Sequence, residues 1–159
     1  MRIAWAVLAA ALLCAAPAGA KSLLNPQWGT IFQAQQAAQL AHQCSRPTPS
    51  PVSGVWQPSF AQVAALEPKL SDLLTARLVP YSKQRPSAAD YYRQYGGLVV
   101  NGRQVIYVNG FYRGLLISSP DTNWLTRAVL ICDGGIIAFG VEYDPATGAF
   151  SNFAFNGHL

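Results

Sequence analysis

The sequence predicts an α+β fold, with N-terminal helices packed on one face of a roughly five-stranded antiparallel meander. Three observations predict it. Apolar residues recur at helical spacing as far as Leu78 and at strand spacing from Asp90 onward. Asn101-Gly102 and Gly134-Gly135 each separate two strand-like runs by two residues, which is the spacing of a tight hairpin. Helices that precede strands, instead of alternating with them, give the segregated order of the α+β class.

The first helix is expected over 26–43. Pro26 suits a first helical turn, and the Ala- and Gln-rich stretch propagates helix well. Residues 46–58 carry four prolines and no periodicity, so they read as an extended Pro-rich connector. Ser59 is an N-cap candidate for the next helical run. There Phe60, Val63, Leu66, Leu70, Leu73, Leu74 and Leu78 keep the helical period. Pro68 interrupts it at a cost of about 3 kcal/mol, which predicts two short helices with Pro68 in the first turn of the second. Residues 79–89 read as a loop.

Strands are expected at Tyr91–Val100 and Arg103–Tyr112, joined by a type I′ turn at Asn101-Gly102. That turn pairs Val99 with Gln104, Gly97 with Ile106, Tyr95 with Val108 and Tyr91 with Tyr112. It also sets Tyr107 opposite Gly96, where a tyrosine can lie over a strand glycine; Gly96-Gly97 alternatively marks a bulge. A second hairpin is expected from Arg127–Asp133 and Ile136–Tyr143 about Gly134-Gly135. It pairs Cys132 with Ile137, Leu130 with Phe139 and Arg127 with Glu142, and it turns Cys132 toward the helices. The turn Asp144–Gly148 leads into a last strand, Phe150–Phe155. In element order alone this is similar to cystatin-like folds, where a sheet wraps a helix. No family motif is matched residue by residue, so no function is carried over.

The first twenty residues have the order of a cleavable export signal. Arg2 precedes an apolar run from Ile3 to Ala16, and Ala18-Gly19-Ala20 supplies small residues for cleavage. The run is shorter than the roughly 20 residues of a spanning helix. Residues 21–159 are then a single periplasmic or extracellular domain, with no membrane span after cleavage. Of the three cysteines, Cys14 leaves with the signal. Cys44 and Cys132 are expected to form one disulfide, worth about 4 kcal/mol for so long a loop.

No cofactor, metal or catalytic motif is found. His42 and His158 are the two histidines, and no His-x-x-x-His or Cys-x-x-Cys spacing occurs. Asp133, before a glycine pair, reads as turn chemistry, as does Asp121 near Asn123; Ser118-Ser119 have no neighbouring base. The feature that stands out is charge segregation. Residues 77–113 carry Arg77, Lys83, Arg85, Arg93, Arg103 and Arg113 against Asp90, interleaved with tyrosines. Arg and Tyr dominate binding hot spots. Tyr92, Arg93, Arg103, Tyr107, Phe111 and Arg113 are therefore the candidate binding surface. The expected function is a non-enzymatic binding module that recognises or inhibits another protein. Its expected partner is an acidic protein or an anionic envelope component, with no nucleic acid, because export removes that ligand. The alternatives are a small hydrolase that gathers Asp133, Glu142 and His42, or a structural envelope protein.

Overall fold

The computed structural model describes residues 29–81, 86–115 and 122–157. The expected signal at 1–20, with Cys14, lies outside the described residues, as do Lys83, Arg85, Ser118, Ser119, Asp121 and His158. The class is α+β. Two helices, α1 (Ala34–Ala37) and α2 (Phe60–Leu78), pack with a six-stranded sheet. Its strands are β1 (Gly29–Ile31), β2 (Val52–Trp56), β3 (Tyr91–Val100), β4 (Arg103–Tyr112), β5 (Ala138–Asp144) and β6 (Ala149–Phe155). The run β3-β4-β5-β6 is an antiparallel meander. The outer edge of β3 is shared, with β1 parallel along Arg93–Tyr95 and β2 antiparallel along Gly97–Val100.

The β3–β4 hairpin forms in the expected register, from Tyr91 opposite Tyr112 to Val100 opposite Arg103, with no bulge at Gly96-Gly97. Asn101 and Gly102 both take positive φ (50° and 75°), as a type I′ turn requires. One face of the hairpin presents Tyr91, Tyr95, Ile106 and Val108 to the core beneath α2. The other presents Leu98, Val100, Val105 and Tyr107 to a second cluster with Phe32, Ala37 and Leu40. The helices thus divide between the two faces of the sheet instead of packing on one face as expected. Gly96 makes this possible: a Cβ there would meet Leu40 at 2.7 Å and Ala37 at 3.1 Å, so its bare surface is filled by the first helical segment and not by Tyr107.

Four further sequence expectations are corrected. The helix expected over 26–43 is reduced to α1 and a following 3-10 turn, Ala38–Ala41, because Gly29–Ile31 pairs as a strand with β3. The Pro-rich connector contains a strand, β2, whose Trp56 lies against the open surface of Gly97. Residues 60–78 form one helix through Pro68. Val63, Leu66, Leu70 and Leu74 are buried along one side of it and Pro68 is exposed. Burial of each such side chain contributes about 1.5–3 kcal/mol, which together outweighs the roughly 3 kcal/mol cost of the proline. Ser59 caps this helix as expected, since its hydroxyl accepts from the Gln62 amide at 3.2 Å and the Gln62 side chain accepts from the Ser59 amide.

The fourth correction matters most. The second hairpin does not form. Gly134-Gly135 turns into a 3-10 segment, Gly135–Ile137, and β5 takes its partners from β4 on one side and β6 on the other. With both edges of β5 occupied, residues 127–133 cannot pair with it as expected. They run as an extended strap whose backbone is bonded by side chains instead. The Gln94 carbonyl accepts from the Val129 amide, and the Asn109 amide donates to the Val129 carbonyl. The Asn156 amide donates to the Ile131 carbonyl, and the Ser45 hydroxyl accepts from the Asp133 amide. Cys44 and Cys132 nevertheless form the disulfide, with Cα atoms 5.3 Å apart across 88 residues of sequence. It ties the segment after α1 to this strap, and Leu130, expected to pair with Phe139, is exposed.

Candidate functional site

The six residues of the expected binding surface separate into three places. Arg93 is only 3% exposed and lies on the α2 face. Its guanidinium donates to the Tyr91 and Ala88 carbonyls and pairs with Glu67 of α2 at 3.6 Å. Tyr95 donates its hydroxyl proton to the same carboxylate. Burial pushes the Glu67 carboxyl above its ordinary value, and the Arg93 charge and the Tyr95 bond only partly offset that. At the open end of the hairpin, Tyr92 stacks on Trp124 with centroids 5.0 Å apart, Phe111 meets Trp124 edge-on, and Arg113 lies over the Tyr92 ring at 5.3 Å. Phe111 is buried in that stack. Arg103 and Tyr107 belong to a third place, at the hairpin's turn.

That third place is a cleft of about 340 Å³, of the size that holds a small ligand. Its walls come from four segments: the loop Pro47–Ser50, the β3–β4 turn, β5 and β6. Strand alternation places Tyr107 and Glu142 on the same face, directly opposite each other in the β4–β5 ladder. Glu142 is 6% exposed, and its Oε1 accepts from the Asn152 amide at 3.0 Å. Asn152 sits at φ +53°, where the β5–β6 register shifts, and this turns its side chain back to Glu142. At the rim, Arg103 is 68% exposed and pairs with Asp144 at 3.7 Å.

Beneath the cleft lies a buried cation. Arg46, just after the disulfide, donates from Nε to the Tyr107 hydroxyl at 3.2 Å and from its two terminal nitrogens to Asn156 and Asn109. Among the described residues it makes no ion pair; amide and phenol oxygens hold it. Asn109 then donates to Gln94, and Gln94 to the carbonyls of Trp124 and Arg127. Burial raises the Tyr107 phenol above its ordinary value, and the Arg46 charge beside it works the other way. Gly140 permits the arrangement, because a Cβ there would fall 2.6 Å from Arg46 Nε and closer still to the Tyr107 hydroxyl. The tyrosine-over-glycine contact expected at Gly96 thus occurs at Gly140.

Sequence reading missed Arg46, Asn109, Gln94 and Asn156. The signal was present, since Gln94 and Asn109 are polar residues directly opposite each other in otherwise apolar, tyrosine-rich strands. The residues of the hydrolase alternative are not brought together. Glu142 lines the cleft, His42 is exposed at the end of the first helical segment, and Asp133 adopts φ +66° in the strap. No hydrogen bond or ion pair joins the three among the described residues. Compared with protein-family models, with curated proteins and with solved structures, the chain finds no match.

Proposed function

We propose that this protein is a small exported binding module and that its ligand site is the cleft at the turn of the β3–β4 hairpin. One observation carries the reading: residues from four segments converge on an open cleft, and one of its walls, Tyr107, is already braced from behind by Arg46. A site held in shape before its ligand arrives avoids the ordering cost that weakens binding. Export is supported by the disulfide, which belongs to oxidising compartments, and no described helix is long and apolar enough to cross a membrane. The acidic partner expected from the basic stretch loses support, because Arg93 is paired with Glu67, Arg103 with Asp144, and Arg113 lies over Tyr92.

A thermal-shift screen with cationic, anionic, zwitterionic and neutral small molecules tests the reading. A ligand at a hundred times its Kd stabilises by about 2.7 kcal/mol, a readily measured shift. The expected outcome is a saturable rise in Tm with one class, lost in Thr48→Trp, which plugs the cleft from its loop side. A shift unchanged by that plug, or no shift with any class, refutes the site. A response to anionic compounds would restore the acidic partner, and turnover of a screened compound would favour the hydrolase.

A further inference from the structure

Resting on the cleft as the binding site, we infer that its ligand presents an alkyl-borne cation, a primary ammonium or a guanidinium, to the Glu142 carboxylate. Glu142 is more than nine-tenths buried, yet only one of its oxygens is satisfied. Among the described residues no donor reaches Oε2, and that atom is not sealed from solvent as the orphaned atoms of Gln43 and Arg93 are. Buried charges are ordinarily paired, and a carboxylate oxygen open to a cleft calls for a charged donor.

Neither neighbouring cation bonds Glu142 in this structure. Arg103 is held by Asp144 at the rim, and the donors of Arg46 go to Tyr107, Asn109 and Asn156. The remaining walls suit an alkyl stem: Pro47 and Val100 line the cleft, and Tyr107, opposite Glu142, contributes its ring. Such a cation comes either from a free small amine or from a lysine or arginine side chain of a partner protein. The chemistry at Glu142 is the same for both.

The test is a titration followed by NMR of the backbone amides around Tyr107, Glu142 and Asn152. The probes are n-butylammonium and methylguanidinium, the neutral n-butanol, butyrate, and a blocked tetrapeptide with a central lysine. The cations are expected to bind saturably and the neutral and anionic controls weakly or not at all. Glu142→Gln, which keeps the shape and the Asn152 bond, should weaken the cations by about tenfold to a hundredfold, the range of a charge-assisted hydrogen bond. Should that variant fail to fold, Arg103→Ala serves. It removes an exposed competing charge and leaves Asp144 free, so cations should bind at least as tightly.

A tetrapeptide that binds tighter than butylammonium assigns the cation to a partner protein, and equal binding assigns it to a free amine. Either result supports the inference. Controls that bind as well as the cations, unchanged affinity in Glu142→Gln, or weaker cation binding in Arg103→Ala overturns the cationic ligand and leaves the cleft as a binding site. No response from any probe overturns the cationic ligand, and the site itself falls only if the broader screen is also silent.

Discussion

Replacing Gly140 by alanine should destabilise this protein more than most single methyl additions. The new Cβ would sit 2.6 Å from Arg46 Nε and closer to the Tyr107 hydroxyl. Neither neighbour can retreat cheaply. The Tyr107 ring is rigid and buried, and the Arg46 guanidinium is anchored by Asn109 and Asn156 as well as by Tyr107. Overpacking a core costs about 1–3 kcal/mol, and displacing the charged Arg46–Tyr107 bond adds about 1.5–3, so the expected loss is about 2.5–6 kcal/mol. Against a total stability of about 5–15 kcal/mol that is a large share. Urea denaturation measures it, and a double-mutant cycle with Tyr107→Phe identifies the cause. Alone, Tyr107→Phe should cost about 1–3 kcal/mol by leaving the Arg46 Nε–H unpaired. In the Gly140→Ala background it removes the clashing hydroxyl and should cost little or nothing. Additive losses, or a Gly140→Ala variant within about 0.5 kcal/mol of the parent, would refute the close approach of Arg46 and Tyr107 to Gly140.

Replacing both Cys44 and Cys132 by serine should lower stability by about 4 kcal/mol and abolish any effect of reductant on the parent's urea midpoint; a parent indifferent to reductant would disprove the bridge. Gln94→Leu strips bonds from the Trp124 and Arg127 carbonyls and from the Val129 amide, so hydrogen exchange at Val129 should quicken at a stability cost of about 3 kcal/mol, and unchanged exchange would count against the strap. The raised Glu67 carboxyl means the folded state holds its proton more tightly than the unfolded chain. Its contribution is therefore complete below the ordinary value of 4.5 and is lost as pH rises from there through the raised value. Urea midpoints across that window should fall more steeply in the parent than in Glu67→Gln, and parallel slopes would show that burial does not raise this group.

Legibility tracked how local each feature is. The cap of α2 was readable because Ser59 and Gln62 stand three residues apart and bond each other. The β3–β4 register was readable from the two-residue turn of Asn and Gly, with a bulge at Gly96-Gly97 as the alternative that the ladder excludes. At Gly134-Gly135 the same rule failed. Both glycines do take positive φ, but a turn only proposes a partner, and β4 and β6 had already occupied both sides of β5. Of the candidate surface, Arg103 and Tyr107 line the cleft, whereas Arg93 and Phe111 are buried elsewhere. An arginine in a strand reads as solvated until its face is known to be covered, and Glu67 is what covers Arg93.

Local signals in the chain were enough for the α+β class, the β3–β4 hairpin, the start of α2 and the cysteine partners. Each rests on turn chemistry, capping, period or counting, none of which needs the rest of the chain. Packing set the rest: α2 runs unbroken through Pro68, β1 and β2 share one edge of β3, and residues 127–133 leave the sheet for a strap held by side-chain amides. It alone placed Arg46 under Tyr107 and opened the cleft beside Glu142. Those outcomes depend on which strand edges and sheet faces remain free once the other elements are in place, and no window of sequence records that competition.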